Sequence, residues 1–318
     1  VGYGTQKKAN LTGAVATVDV NKTLDSRPIA DIGRGLQGAV AGVNITIPTG
    51  EVGSDPLIKI RGQVGSISGN NTPLILLDNV EIPSIQMVNP NDVQSISVLK
   101  DAASSSIYGS KAAFGVILIT TKSGAQSDKF EISYSNNFSW QDPAKKIEIG
   151  GIEALQYTLD AQTNRREPMP AGGFWRISPE SLEKAIEWQN LYGGKVKWND
   201  PVVYGRDWFY DGKDKYGYRL YDGAKAMIKN WTPTMTHNLS VNGKSGKTSY
   251  NIGLGYLDQS GMSKTAKKDD FKRYNASVSV TSEINKYITV RASSIYSDRN
   301  KRYPGIGNTT ADPWLYLY

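Results

Sequence analysis

Apolar and polar residues alternate with a period of two along five segments in the second part of the chain. In the first segment, Phe130, Tyr134 and Trp140 fall on one face, and Ser, Asn and Glu residues fall on the other. Because successive side chains of a β-strand point to opposite faces, this pattern predicts strands with one apolar face and one polar face. The segments are 130–140, 237–242, 249–257, 272–284 and 287–297.

The connections between these segments have two very different lengths. Gly243–Lys247 and Asn285–Lys286 are short enough for hairpin turns, whereas 142–235 and 260–270 are long. Antiparallel strands alternate in direction, so both short turns lie at one end of the sheet and the long connections lie at the other. Membrane β-barrels sort their turns and loops in this way. The alternation alone also suits a soluble β-sandwich, so the connection lengths are what favours a membrane barrel.

Residues 1–124 have a different pattern, in which short β-rich runs lie between short helical segments. Ser26 and Pro28 precede a helical pattern that continues through Leu36, and a second helix of small residues is predicted at 101–108. Four or five short strands with two or three helices predict a small mixed α+β sheet. The predicted strands are Val43–Ile47, Leu57–Arg61, Leu74–Leu77, Ser95–Leu99 and Val116–Thr121.

Aromatic residues divide the chain into two regions. Residues 1–124 contain three of them, and residues 125–318 contain the other 28, including all seven Trp. A contrast this large predicts two domains that face different environments. The long connection 142–235 contains two helical patterns, and its Trp residues either stack on a partner or a sugar or form the connection's own small core. The helical patterns are Ile152–Gln162 and Ser178–Gly193.

The composition excludes several kinds of chemistry. The chain has no Cys and one His, His237, which removes disulfide scaffolds, thiolate metal sites and Cys nucleophiles and leaves almost no basis for His triads. The net charge of +7 is spread without a run of five like charges, so nucleic acid is not predicted as a partner. GRGLQG at 33–38 matches a dinucleotide fingerprint only as a string, because no strand precedes it. We therefore predict that the protein is not an enzyme and has neither a cofactor nor a metal site.

Two stretches of the first region resemble the plug domain of the SusC/RagA family of TonB-dependent outer-membrane transporters. Residues 89–124, NPNDVQSISVLKDAASSSIYGSKAAFGVILITTKSG, are similar to the end of that domain. RGQ at 61–63 and PLILLDNVEI at 73–82 stand where the family has its RG and PL motifs, with Asn79 where the family commonly has Gly. Asn also tolerates the left-handed conformation of a turn, so this departure changes little.

Two further stretches extend the resemblance in the same order. The opening VGYGTQKKANLTGAV is similar to the stretch after the family's TonB box, and HNLSVNGKSGKTSYNIGLGYLDQSGM at 237–262 is similar to an early barrel hairpin. The resemblance covers 1–140 and 236–300 well, and it covers the long connection poorly.

The resemblance implies an α+β plug domain at 1–124, after the TonB box, followed at 125–318 by the first antiparallel transmembrane β-strands of a barrel. About five strands are too few to close, so they would form a partial barrel within a much longer protein whose full barrel has about 22 strands around the plug. The connection at about 142–235 would be a long extracellular loop. The implied location is the bacterial outer membrane, with the plug in the barrel lumen.

The resemblance also implies TonB-dependent import of oligosaccharides across the outer membrane, in complex with a SusD-like surface lipoprotein that acts as a lid. TonB would act through a segment upstream of Val1, and dimers of the transporter–lipoprotein pair are compatible with this assembly. Outer-membrane lipid would surround the strands. Two alternatives stay open at this point: the same type of transporter carrying peptides, and a soluble β-rich binding or adhesion protein.

Ligand contacts are predicted in two loops between the plug strands, Gly65–Pro73 and Pro83–Val88. Their hydroxyl and amide groups can hydrogen-bond sugar hydroxyls or peptide groups, although the same residue types also form turns. Arg61 is predicted to be an internal plug charge paired with carboxylates of the barrel wall, with an ordinary surface Arg as the alternative. The predicted ligand residues are Ser66, Ser68, Asn70, Asn71, Thr72 and Gln86.

Overall fold

The computed structural model describes residues 15–19, 31–47, 51–61, 72–124, 128, 130–143, 150–164, 178–197, 199–213, 215–264 and 266–303. These residues form two compact units. The first unit contains the residues before 143 together with the long strands after 229, and the second contains most of the connection between them. Within the described ranges, no helix has the length and apolar character that would let it cross a membrane.

The first unit begins with seven short strands in the described part of the chain. They are β1 (Val15–Asp19), β2 (Val43–Thr46), β3 (Leu57–Ile60), β4 (Leu74–Leu77), β5 (Val80–Glu81), β6 (Val93–Leu99) and β7 (Val116–Thr121). Five of them form a mixed sheet in the order β1-β6-β7-β4-β5, in which β4 and β7 are parallel. β2 and β3 pair separately as an antiparallel hairpin.

Both faces of the central strands of this sheet are covered by apolar side chains. Ile96 and Ile119 are almost completely buried in a cluster on one face, and Leu99 and Val116 are buried in a second cluster. A strand that is buried on both sides has a nearly continuous apolar sequence instead of an alternating one. This explains why VILI at 116–119 carries no polar residue.

Two aspartates cap the helices of this region. Asp31 and Asp101 each accept a hydrogen bond, 2.8 Å long, from the backbone N–H three residues further on. The helix predicted at 101–108 is a single α-helical turn followed by a 3-10 segment, Ser106–Ala112, which is kinked at Gly109, where φ is 68°. The two helices are α1 (Ile32–Leu36) and α2 (Ala102–Ser105).

Two consecutive 3-10 turns connect β5 to β6. The side chain of Ser84 caps the first turn, Ile85–Met87, and that of Asn89 caps the second turn, Pro90–Asp92. Pro90 suits the first position of its turn because its missing N–H would have no partner there. We call residues Ser84–Asp92 the anchor segment.

Seven strands follow the first sheet. They are β8 (Glu131–Gln141), β9 (Trp208–Tyr210), β10 (Lys215–Gly217), β11 (Thr232–Ser245), β12 (Thr248–Ser260), β13 (Asp270–Glu283) and β14 (Thr289–Arg302). The five long ones form an antiparallel sheet in the order β14-β13-β12-β11-β8. We call it the long-strand sheet. Its short turns, at 246–247 and 284–288, lie at one end, and its long connections lie at the other, which confirms the predicted sorting.

The second unit is built from the connection between β8 and β11. Its helices are α3 (Ile152–Asn164), α4 (Pro179–Tyr192) and α5 (Gly223–Met227), and β9 and β10 form a small antiparallel pair. α4 begins after the predicted cap, Ser178, and ends before Gly193. Leu182, Ala185 and Trp188 lie on its buried face, because they recur every three or four residues.

The strands predicted for the first region are largely confirmed. β4 and β7 agree at both ends, whereas β1 and β5 carry no recognisable pattern and were not predicted. The long strands extend beyond the alternating segments; β11, for example, begins five residues before the predicted 237. The predicted start of the first helix at 26–30 lies outside the described residues.

Candidate functional site

The central strands of the long-strand sheet bury a mainly polar face and expose an apolar face, whereas the edge strands β8 and β14 are largely exposed on both faces. On β12, Asn251 is 6% exposed, whereas Ile252 and Leu254 are 39% and 48% exposed. On β13, Ser277 is 6% exposed and Val278 is 42% exposed. A water-soluble sheet has the opposite distribution, with apolar side chains in the core. An apolar outer face with polar residues turned inward is the arrangement of strands that face lipid.

A row of aromatic rings crosses the outer face of this sheet. It consists of Tyr134, His237, Tyr256 and Tyr274. Neighbouring ring centroids along the row are 6.2, 6.3 and 5.0 Å apart. Beyond the row, Asp258 and Lys272 form a 2.9 Å ion pair on the same outer face. Aromatic rings at the border between apolar and charged residues are typical of the membrane–water interface.

The border of the apolar face crosses the strands at an angle. Following the strand register, Tyr296 of β14 lies level with Tyr134 of β8. On β14 the next outward residue is Asp298, whereas on β8 the outward residues after Tyr134 are Asn136, Phe138 and Trp140, so large aromatic side chains extend six residues further. The end of this face is thus displaced along the strands by six residues, about 20 Å, between β14 and β8. These two strands are four steps apart in the sheet, about 19 Å, so the displacement corresponds to a strand tilt of about 45°. Strands that cross a membrane are tilted by this amount.

The polar inner face of the sheet holds the anchor segment through hydrogen bonds to its backbone. Arg273 Nη1 donates to the carbonyl oxygen of Gln86 at 3.0 Å, and Asn275 Nδ2 donates to that of Met87 at 2.7 Å. Both donors come from β13 and lie two residues apart, so they share one face of the strand. These two hydrogen bonds therefore depend on the backbone conformation of the anchor segment and not on its side chains.

Two glycines of β12 allow the anchor segment to approach the wall closely. A Cβ on Gly253 would lie 2.5 Å from Oδ1 of Asp92, and a Cβ on Gly255 would lie 2.5 Å from Nδ2 of Asn89. These distances are too short for any side chain. Next to this contact, Asn89 Nδ2 donates to Oδ1 of Asn238 at 2.9 Å. The glycines that look like ordinary gaps in the strand pattern are therefore contact positions.

Cations at the end of β14 bind acceptors of the first region. Arg299 Nη1 donates to Oγ of Ser84 at 2.7 Å. Lys301 Nζ forms a 2.7 Å ion pair with Glu51 and donates to Oγ of Ser54 at 2.9 Å. These long side chains extend the contact beyond the anchor segment.

Asp92 is the acidic group of this contact, and it is 8% exposed. Burial raises the pKa of Asp92, and nearby Lys122 and Arg273 offset this effect only in part. Ser277 opposes the effect of burial as well, and the net result is that Asp92 binds a proton more readily in the contact than in water. Elsewhere in the described ranges, no cluster of three or more His, Cys, Asp or Glu side chains could hold a metal ion.

The predicted ligand residues are in three situations. Thr72 is exposed just before β4. Gln86 is buried in the anchor segment, 3% exposed, and its side-chain amide donates to the carbonyl oxygen of Ser54 at 3.1 Å. Ligand contact at both positions stays a prediction. The remaining four lie outside the described residues; they are Ser66, Ser68, Asn70 and Asn71.

Arg61 is exposed at the end of β3 and has a left-handed φ of 54°. Its backbone N–H donates to the carbonyl oxygen of Gly42 at 2.7 Å, next to the Val43–Ile60 pair at the open end of the β2–β3 hairpin. A carboxylate partner in the barrel wall stays a prediction. The residues that hold the anchor segment, above all Arg273 and Asn275, were not singled out from the sequence. The signal was present, because both stand on the polar side of the alternating segment 272–284.

Comparisons with known proteins agree with this geometry. The TonB-dependent Receptor Plug Domain family matches residues 7–116. The chain is 30% identical over 319 residues to TonB-dependent receptor P26 of Formosa agariphila, covering 98% of this chain and 28% of that protein. It is 27% identical over 289 residues to TonB-dependent receptor SusC of Bacteroides thetaiotaomicron, covering 88% of this chain and 24% of that protein.

Solved structures give the same result. The RagAB peptide importer in its open-open state matches with a TM-score of 0.68 and 30% identity, covering 95% of this chain and 32% of that chain. In its closed-closed state the TM-score is 0.67. The chain thus spans about a quarter to a third of the length of these relatives.

A plug domain followed by an antiparallel sheet with an apolar outer face defines the class of TonB-dependent receptors of the outer membrane. Within that class, the chain belongs to the SusC/RagA type of TonB-dependent transporter. Residues 7–116 match its plug domain, and the long-strand sheet is part of its barrel. The expected family and fold class are confirmed, and the soluble β-rich alternative is wrong.

Proposed function

We propose that the protein imports oligosaccharides across the bacterial outer membrane, using TonB to displace the plug from the barrel lumen. The observation that carries this proposal is the contact between the anchor segment and the polar face of the long-strand sheet. It is made of hydrogen bonds from Arg273 and Asn275 and of close approach at Gly253. No catalytic role is proposed.

A contact made largely of hydrogen bonds suits a plug that is displaced from the barrel lumen and later returns to it. Each net hydrogen bond stabilises a contact by only about 0.5–1.5 kcal/mol, because water replaces the lost partner when the contact opens. The contact also includes one apolar cluster, in which Val52 packs with Leu257 and Phe271 of the long-strand sheet, and this buried surface opposes opening at about 25 cal/mol per Å². The side chains that would have to exchange partners with water include Arg273, Asn275 and Asn89.

The proposed assembly has two partners. A SusD-like lipoprotein covers the outer side as a lid, and TonB pulls from the periplasm on a segment upstream of Val1. The similarity to SusC supports this assembly, and so does the RagAB pair among the structural neighbours. Dimers of the transporter–lipoprotein pair are part of the proposal.

Uptake by the intact bacterium tests the function. A strain that lacks the gene is expected to lose growth on one class of neutral oligosaccharide as sole carbon source. The full-length gene is expected to restore growth, and the same gene without its TonB-binding segment is not. Equal growth of the deletion strain on every oligosaccharide that the parent strain uses would refute oligosaccharide import.

Peptides are the second candidate cargo. The specific observation in their favour is the similarity to the RagAB peptide importer, which extends over 95% of the chain. If peptides are the cargo, the deletion strain will lose growth on oligopeptides as sole nitrogen source and will keep its growth on glycans.

A further inference from the structure

The second unit contains an open cleft of about 390 Å³, and no role has been assigned to it. One face of α4 forms one wall, with Lys184, Glu187, Trp188 and Tyr192 among the lining residues. These positions recur every three or four residues, as a single helix face requires. The opposite wall comes from 205–209 and from Tyr218. A cleft of this size lies within the range of small-molecule sites.

Asp207, which is 1% exposed, holds the two walls together. Its carboxylate accepts hydrogen bonds from Nε1 of Trp188 at 2.8 Å, from Nη2 of Arg206 at 2.7 Å and from the backbone N–H of Val203 at 2.9 Å. Buried Arg219 lies 3.4 Å from the same carboxylate. The hydrogen bonds from Arg206 lower the pKa of Asp207, so it stays ionised. The cleft is therefore preorganised before any ligand arrives.

Aromatic rings line the cleft. Phe209 is 41% exposed, and Tyr192 and Tyr218 are half-buried. The guanidinium of Arg206 lies 5.8 Å from the centroid of the Tyr192 ring, which fixes the orientation of that ring. Partly exposed ring faces at the edge of a cleft can pack against the C–H face of a flat, partly apolar ligand.

Two cations of the cleft are each held by a carboxylate of the same unit. Lys184 Nζ lies 3.0 Å from Glu187, and Arg206 lies 2.7 Å from Asp207. A charged ligand would have to break one of these pairs, whereas a neutral ligand with hydroxyl groups can hydrogen-bond to their outer atoms. The combination of ring faces and paired charges matches a neutral sugar, which has an apolar face and a rim of hydroxyl groups.

We infer that this cleft binds neutral sugar units, with Phe209 and Tyr192 packing against the sugar rings and the Lys184–Glu187 pair binding the hydroxyl groups. The inference rests on the proposed function and adds to it a binding site within the connection between β8 and β11.

Calorimetry on the full-length transporter tests the inference. The probes are neutral oligosaccharides of glucose, mannose and xylose, with a set of oligopeptides alongside. Phe209→Ala is expected to weaken binding of the recognised glycan about tenfold, the equivalent of one lost ring contact. Phe209→Leu, which keeps the apolar volume and removes the ring, is expected to weaken binding in the same direction. Tyr210→Ala is the matched control, because Tyr210 is 44% exposed and neighbours Phe209 on the opposite face of β9.

The possible outcomes separate this inference from the proposed function. Wild-type glycan affinity in both Phe209 variants would refute sugar binding in the cleft and would leave the proposal of oligosaccharide import intact. Equal losses of glycan affinity in Phe209→Ala and Tyr210→Ala would also refute sugar binding in the cleft, since the effect would not depend on which face of β9 is changed. If the wild-type protein binds peptides and no glycan of the panel, both oligosaccharide import and sugar binding in the cleft are refuted.

Discussion

The apolar outer face of the long-strand sheet leads to a prediction that depends strongly on the surrounding medium. Ile252 lies in the middle of this face, where its neighbours across the register are Val241 on β11 and Val278 on β13. In Ile252→Arg, a charged group takes the place of a side chain that is 39% exposed. On a water-facing surface, such a change alters the free energy of unfolding by no more than about 0.5 kcal/mol.

In a bilayer the expected cost is much larger. Arg at the centre of a lipid-facing strand destabilises a barrel by about 2–4 kcal/mol, and the cost falls to about 0–1 kcal/mol near the interface. Asn300 provides the matched control, because it is on the same outer face, pairs with Lys272 and lies beyond the apolar border. We therefore expect Ile252→Arg to cost at least about 2 kcal/mol more than Asn300→Arg.

The assay is reversible urea unfolding of the full-length protein from lipid vesicles, followed by Trp fluorescence. Each variant gives a free energy of unfolding from its transition midpoint and slope. If both variants stay within about 0.5 kcal/mol of the wild type, the outer face does not contact lipid and the assignment of the inner and outer faces is refuted.

Three further predictions concern the plug contact and the second unit. Gly253→Val places a side chain 2.5 Å from Asp92, so we expect the plug to loosen and limited proteolysis to cleave it faster than in wild type. The raised pKa of Asp92 means that the folded protein binds its proton more tightly, so stability falls as pH rises from about 4 through the folded pKa; Asp92→Asn should remove this slope from thermal unfolding curves. Asp207→Ala leaves buried Arg219 without its ion-pair partner and should destabilise the second unit by about 3–5 kcal/mol, measured by circular dichroism. Because the pKa of Asp207 is lowered, its contribution to the stability of the second unit is constant above about pH 4 and is lost as pH falls further. An unchanged unfolding temperature in Asp207→Ala would contradict the stabilising role of this carboxylate.

Local patterns predicted the long-strand sheet well, because one face of each strand has a uniform environment. The alternation in 130–140 predicted β8, which covers 131–141, even though both faces of this edge strand are largely exposed. α4 was equally predictable, since Ser178 and Gly193 supply local cap signals. In each case the signal that predicts the element lies within the sequence of the segment itself.

The plug contact was not predictable from local patterns, because its partners are far apart in sequence. Asn89 and Asn238 are separated by 149 residues, and neither lies in a pattern that indicates the other. β1 was missed for a related reason: Val15–Asp19 is held by pairing with β6 and has no periodicity of its own. The cleft in the second unit depends on Asp207 in the same way, since Trp188 is 19 residues away from it.

Because Gly253 and Gly255 have no side chains, they allow close contact with residues 92 and 89, which are encoded in a distant part of the gene. A side chain at Gly253 would meet both Asp92 and Ser277, and one at Gly255 would meet Asn89, so the first domain and the cylinder cannot vary independently at these positions. A chimera that combines the first domain of one relative with the cylinder of another should assemble only when the complementary pair of positions is transplanted as a set.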